Sequence, residues 1–243
     1  MAKVALVTGA AGGIGRATAL RFAREGVRLF LSDIQAEPLA ETAEMIRQAG
    51  GEAAHHTSDI STEEGVAGLM EGLLAHFGRL DWAVNNAGII QPMGGVADTD
   101  VAGFDRAMAV NVRSVFLCMK AELAIMGPQG SGAIVNTASA VVFRATAGPF
   151  AYTATKFAVK GMTEHAAHEW AASGIRINAV APGAIVTPMT LALPEIQARP
   201  SPQPNKRRAD PSEVAEGIYW LCSDAASNVI GHTLVIDGGW TIG

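Results

Sequence analysis

The chain has 243 residues, 49% of them hydrophobic and 17% charged, with a formal net charge of -5. That length accommodates one large domain or two small ones around a substantial apolar core, and one domain over 1–243 is the expectation because no linker or internal repeat interrupts the pattern. The acidic balance, with Lys206-Arg207-Arg208 as the one basic run, excludes an electrostatic footprint for nucleic acid, and no apolar run approaches the length of a membrane span. Cys118 and Cys222 are too few for a disulfide framework and sit in apolar helical contexts, which favours a reduced intracellular protein. Met1-Ala2-Lys3 passes directly into a short apolar run broken by glycine, not a secretory signal, so the cytoplasm is the expected compartment.

The first apolar run, 4–7, reads as a buried strand, and it leads into the glycine-rich turn Thr8-Gly9-Ala10-Ala11-Gly12-Gly13-Ile14-Gly15 and a helix. Small residues there let a backbone approach a pyrophosphate, whose charge the helix N-terminus attracts, although glycines also make ordinary strand-to-helix turns. The spacing does not match a phosphate loop ending in Gly-Lys-Ser/Thr, so an ATPase reading fails. A second strand, 27–31, leads to Asp33, eighteen residues after Gly15 and near the spacing at which a carboxylate accepts hydrogen bonds from an adenosine ribose. Without the glycine turn Asp33 would read equally well as a cap or turn residue. After the third strand, 53–57, Asp59 has two readings of similar weight, a cap or an adenine contact. Further strands are expected at 80–84, 132–137, 175–180 and 233–236, separated by helices that Gly26, Gly50, Gly78 and Gly174 can stop.

Capping-box patterns at Ser61-Thr62-Glu63-Glu64 and Asp210-Pro211-Ser212-Glu213 mark two helix starts. Seven strands alternating with helices, several of them continuously apolar, predict an α/β fold: a doubly wound, seven-stranded parallel sheet flanked by helices. One long segment, about 184–210, carries Pro188, Pro194, Pro200, Pro202 and Pro204, so helix cannot run unbroken through it. Its length suits a substrate lid or a flexible excursion.

Tyr152 and Lys156 stand four residues apart, thirteen residues after Ser139. On a helix that spacing shares a face, so the Lys156 ammonium can approach the Tyr152 phenol and favour its ionised form. A phenol so placed can serve as acid and base, taking the hydroxyl proton that must leave a carbinol as hydride is removed. An amphipathic helix surface would present the same spacing without that chemistry.

The ordered set Thr8-Gly9-x-x-x-Gly13-x-Gly15, Asn85-Asn86-Ala87-Gly88, Asn111, Ser139, Tyr152-x-x-x-Lys156 and Pro182-Gly183 resembles the short-chain dehydrogenase/reductase family over essentially the whole chain. The resemblance implies a single Rossmann-type domain. It also implies Tyr152 as general acid/base, Ser139 as partner of the substrate oxygen, Lys156 as ribose ligand and depressor of the tyrosine pKa, and Asn111 as holder of a water in a proton relay. Cofactor contacts follow from it at Gly9, Gly13, Ile14, Gly15, Asp33, Asp59, Ile60, Asn86, Ala87, Gly88, Tyr152, Lys156, Pro182, Gly183, Ile185 and Thr187, the last near the nicotinamide carboxamide. A homotetramer is implied as well, with Ala107, Val115, Phe157 and Ala166 suited to either a helix interface or an internal core.

The expected activity is NAD-dependent hydride transfer between a secondary alcohol and its ketone, with cyclic alcohols and diols among the candidates. Met93, Val141, Val142, Phe143, Met189, Leu191 and Leu193 are expected around an apolar substrate pocket, though core packing accounts for some of them equally well. An NADPH-dependent reductase of 3-ketoacyl thioesters would call for basic residues where Gly12 and Asp33 stand, and intact Ser139, Tyr152 and Lys156 disfavour a non-catalytic dinucleotide sensor. His165 and His168 have helical spacing for a metal but lack a third ligand in the sequence, so a polar helix face is the better reading and no metal is expected.

Overall fold

The apolar runs form seven parallel strands: β1 (Val4–Thr8), β2 (Arg28–Asp33), β3 (Ala53–Thr57), β4 (Trp82–Asn85), β5 (Gly132–Thr137), β6 (Ile175–Pro182) and β7 (Thr233–Ile236). Their order is β3-β2-β1-β4-β5-β6-β7, the doubly wound arrangement, and the direction of winding reverses between β1 and β4. The computed structural model describes residues 2–91, 93–145, 149–193, 200–201 and 203–242. Helices α1 (Gly13–Ala23), α2 (Ala36–Gln48), α3 (Glu63–Phe77), α4 (Val101–Met108), α5 (Ser114–Gln129), α6 (Phe150–Trp170), the short α7 (Pro188–Leu191) and α8 (Pro211–Cys222) flank it.

Strand alternation divides the core in two. Val4, Leu6, Phe30, Ile134 and Ile177 pack with α3, α5 and α6, while Ala5, Val7, Leu29, Leu31 and Val135 pack with α1, α2 and α8. Burial on both faces explains why these strands read as continuous apolar runs. On the second face Phe22 of α1, Trp82 of β4 and Tyr219 of α8 meet edge to face, with ring centroids 5.2 to 6.1 Å apart.

Three local features depart from expectation. Strands β2, β4 and β6 run further toward their C-terminal ends, because neighbouring strands continue to supply hydrogen-bond partners, as in the pairing of Asp33 with Thr57 and of Pro182 with Ile236. The cap of α3 is Thr62, whose hydroxyl accepts from the Gly65 amide at 3.0 Å; Ser61 is diverted, its hydroxyl donating to Asp59 Oδ1 at 2.7 Å. Between α4 and α5 the helix continues through a π turn, Ala109–Arg113, in which the extra residue turns Asn111 into the interior. The capping box at Asp210, with Pro211 in the first turn, forms as expected.

The segment 184–210 closes on itself. Ile185 pairs with Ala209, and the Val186 and Ala209 amides donate to Ala209 and Ala184 carbonyls at 2.9 and 3.0 Å, making a neck at the base of the expected lid. Residues 194–199 and 202, which include Pro194 and Pro202, lie outside the described residues. Among the described residues no helix is long and apolar enough to cross a membrane, and no group of three or more His, Cys, Asp or Glu could hold a metal ion. His165 and His168 are exposed on α6.

Candidate active site

The turn after β1 and the turn after β4 meet where the sheet reverses, and their residues are locked together. Thr8 Oγ1 accepts from the Asn86 and Ala87 amides at 3.0 and 3.2 Å, and the Asn86 side chain donates to the Thr8 and Gly9 carbonyls at 3.1 and 3.3 Å. Gly15 is required by space: a Cβ there would lie 2.0 Å from the Gly9 carbonyl oxygen. Gly9 and Gly13 have φ of +66 and +53, a left-handed backbone that other residues adopt with strain. The N-terminus of α1 has no side-chain cap and no acidic residue in its first turn, so its amides face the crevice as an anion site. Ile14 packs on the core beside it.

Asp33, the last residue of β2, is oriented toward this turn. Its Oδ2 accepts from the Ala11 amide and its Oδ1 from the Gln35 amide, both at 3.0 Å. Ile34 stands beyond it, 66% exposed, an apolar surface residue that sequence reasoning passed over although it adjoins Asp33. Arg16 bridges this turn and α2: its guanidinium donates to the carbonyls of Ala11 and Pro38 at 2.7 and 2.9 Å and to Thr42 Oγ1 at 2.9 Å. Asp59 is exposed and accepts from the Ser61 amide and hydroxyl, as a turn residue does, while the Ile60 side chain is buried in the core.

At the other end of the crevice, Ser139 follows β5 and caps a 3₁₀ turn, Ala140–Val142, and its hydroxyl is near enough to Tyr152 on α6 to oppose the upward shift of the phenol. Lys156 Nζ lies 5.5 Å from the Tyr152 ring centroid and donates to the Thr137 carbonyl at 2.7 Å. Burial dominates both titrations. It raises the Tyr152 phenol above its ordinary value, opposed by the Ser139 hydroxyl, and lowers the Lys156 ammonium to about 8.

Asn111 ties the helix to the strand side of the site. Its Oδ1 accepts from the Ile89 amide at 2.7 Å, and its Nδ2 donates to the Ile89 carbonyl at 2.9 Å and to Thr155 Oγ1 at 3.1 Å. A Cβ on Gly88 would lie 3.2 Å from Asn111 Oδ1 and 3.7 Å from Lys156 Nζ, which places all three together. Gly183 packs on Asp237, and Thr187 caps α7 with its methyl 3.2 Å from where a Gly13 Cβ would be. Thr155 and the Thr137 carbonyl were missed in the sequence; Thr155 lies inside the Tyr-x-x-x-Lys motif, whereas a backbone acceptor carries no sequence signal.

Of the expected rim, Met93, Phe143, Met189 and Leu191 are 38 to 51% exposed, while Val141 and Val142 are buried. The proposed interface residues divide as well: Ala107 and Val115 belong to the interior, Ala166 packs partly buried against it, and Phe157 is 44% exposed.

The family profile described as enoyl-(acyl carrier protein) reductase, a short-chain dehydrogenase type, matches residues 9–241. The chain belongs to the short-chain dehydrogenase/reductase family. Among relatives in this family, the cis-4-hydroxycyclohexanecarboxylate dehydrogenase of Sinomonas cyclohexanicum is 44% identical, the match covering 98% of this chain and 96% of that one. The crystal structure of levodione reductase superposes with a TM-score of 0.94 at 37% identity, covering 99% of this chain and 98% of that one. A 3-ketoacyl-(acyl-carrier-protein) reductase from Brucella melitensis, complexed with NADH, gives a TM-score of 0.92 at 33% identity, with 98% of each chain covered. As a member of the family, this chain is a nicotinamide-dependent oxidoreductase.

Proposed function

We propose that the protein is an NAD-dependent dehydrogenase that reversibly interconverts a secondary alcohol and its ketone, with cyclic alcohols or diols as the substrate class. The observation that carries this is the grouping of Ser139, Tyr152 and Lys156, with Lys156 Nζ 5.5 Å from the Tyr152 ring centroid, beside the glycine-lined turn at the switch point. The residues fit a dinucleotide, since a Cβ would fill the cradle at Gly9 and Gly15 and the α1 amides face it. When bound, NAD supplies the acceptor for the hydride. Ser139 holds the substrate oxygen and Tyr152 takes its proton in oxidation and returns it in reduction. Lys156 reaches the nicotinamide-side ribose, and Asn111 holds the relay that connects Lys156 to solvent.

The choice of NAD over NADP follows from Asp33. A ribose 2′-hydroxyl can donate to its carboxylate, whereas a 2′-phosphate about 4 Å away would be repelled by about 1 kcal/mol per charge pair in water and about 4 kcal/mol at an effective dielectric of 20. Arg16, the nearby cation, is engaged by α2. The cyclic substrate class is supported by the names of two relatives, a dehydrogenase of a hydroxylated cyclohexane carboxylate and levodione reductase. NADH formation from a panel of cyclohexanols and diols tests the reading. Turnover confined to 3-ketoacyl thioesters with NADPH would overturn it in favour of the biosynthetic alternative.

Three further parts of the proposal have their own tests. Exposed Phe116 of α5 and Phe157 of α6 suit a helix-to-helix contact between copies, so light scattering should report a tetramer. The segment 184–210 acts as a lid on its closed neck, so hydrogen exchange there should slow when cofactor and substrate are added. A cytoplasmic setting suits the two buried free thiols, Cys118 and Cys222, and fractionation of the native host tests it.

A further inference from the structure

Glu122 stands on the inner face of α5 and is 0% exposed. The groups that meet it are neutral: Asn85 from β4 donates its Nδ2 to Glu122 Oε2 at 3.1 Å, and the same Nδ2 donates to Asn136 Oδ1 of β5 at 3.0 Å. Asn136 in turn donates to Thr163 of α6 at 2.9 Å. Cys118, one turn back on α5, is the ionisable neighbour, and its own thiol is pushed well above its ordinary value by burial first and by the Glu122 charge second. Two oxygens in this cluster are buried without a partner, Glu122 Oε1 and Asn85 Oδ1. Both are acceptors, and an ionised carboxylate would leave both unsatisfied and an uncompensated charge in the core. A single proton on the carboxyl removes the charge and supplies a donor for the Asn85 oxygen.

We propose that Glu122 is a positioning residue held as a neutral carboxylic acid, whose proton closes a two-hydrogen-bond pair with the Asn85 carboxamide and so seats α5 on β4. The consequence reaches the cofactor crevice through the chain. Asn85 immediately precedes Asn86, whose side chain clasps the Thr8 and Gly9 carbonyls. Asn111, eleven residues and about three turns before Glu122, grips Ile89 from the same helical run. Two polar anchors thus hold one helix against β4 and the loop that follows it. Burial moves the carboxyl in the direction the geometry requires, up to about 8, against the opposing Asn85 hydrogen bond.

The sign of the pH effect is fixed by that direction. A carboxyl raised from 4.5 to about 8 keeps a proton in the folded chain that the unfolded chain has lost, so stability falls as pH rises between those values and levels off above about 8. Glu122→Gln replaces the acid with an amide that donates and accepts in the same places and does not titrate. The wild-type melting temperature should therefore fall relative to that of Glu122→Gln between about pH 5 and about pH 8, and isotope-edited infrared spectra should show a protonated carboxyl band that the variant lacks. Parallel melting curves, or no such band, overturn the neutral acid. For the positioning role, NADH affinity should be kept in Glu122→Gln and weakened about tenfold in Glu122→Leu, with kcat at saturating cofactor closer to normal. Wild-type affinity in a folded Glu122→Leu, or a loss in Glu122→Gln, overturns it. The cofactor readout rests on the proposed function, whereas the melting and infrared readouts do not, so the two can fail separately.

Discussion

On the cofactor side of the crevice, Gly15 and Gly9 are hemmed in by backbone and amide groups within 3 Å of any added carbon, and Asp33, Thr8 and Asn86 are each fixed by two or more hydrogen bonds. On the proposed substrate side, Phe143, Phe150, Met189 and Leu191 stand 38 to 51% exposed, just after a 3₁₀ turn, at a helix start and on a short helix. One wall is held by its own hydrogen bonds, and the other leaves apolar surface exposed. A family that keeps a nicotinamide cofactor and changes its substrate is served by that division, because contacts on the open wall can be exchanged without moving the closed one.

The sharpest break between the two walls falls at Tyr152, which belongs to both. Tyr152→Phe removes the transferable proton and little surface, so turnover should fall by about 10³-fold while NADH affinity is unchanged. Stopped-flow turnover with fluorescence titration checks both halves, and residual activity near wild type would remove Tyr152 from the chemistry.

Next in size is the closed wall itself. Gly15→Ala would put a carbon 2.0 Å from the Gly9 carbonyl oxygen and 2.8 Å from Asn86 Nδ2, so the turn must open. We expect cofactor affinity to fall about a hundredfold, equivalent to about 2.8 kcal/mol. Gly12→Ala is the control: its backbone is extended at φ -172 and the nearest atom is Pro188 Cγ at 3.4 Å, so calorimetry should find affinity nearly unchanged.

The same division explains what could be read from residues alone. Strand positions and the Gly15 turn were legible because burial on both faces, and the lack of room for a side chain, leave a mark on every residue involved. Asp33 was legible because its distance from the turn is set by one helix and one strand. The π turn at Asn111 was not, since Ala109-Val110-Asn111-Val112-Arg113 contains no glycine or proline and the distortion is imposed by packing. Ser61 and Thr62 are adjacent hydroxyls, and the choice of cap was decided by Asp59. The helical spacing brings Tyr152 and Lys156 together, with the ammonium nitrogen 5.5 Å from the ring centroid, whereas the burial that raises the phenol is not encoded in four residues of spacing.

A smaller effect tests whether the closed wall also selects the cofactor. Asp33→Ala with Gly12→Arg should move the ratio of kcat/KM for NAD over NADP by tenfold or more toward NADP, by removing a repulsion and adding a cation at a position whose backbone accepts any residue. Steady-state kinetics with both cofactors measure it, and an unchanged ratio would mean that Asp33 does not face the ribose.

The smallest expected effect lies on the open wall. Met189 is the second residue of α7, next to Pro188, the residue whose ring lies closest to Gly12, so it stands beside the cofactor crevice without being part of its cradle. It is 38% exposed in the free chain, and that exposed surface is available to an apolar substrate. Each methylene contact in such a pocket is worth about 1 to 3 kcal/mol of discrimination, but only for a substrate large enough to make it. Met189→Ala should therefore raise KM for cyclohexanol about tenfold and leave KM for a small alcohol such as 2-propanol, the kcat of both and the affinity for NADH near wild type. The comparison between alcohols is the measurement that matters, because a distorted crevice would impair both alike. If cyclohexanol and 2-propanol lose efficiency in equal proportion, Met189 supports the closed wall, and the boundary between the two must be drawn further out.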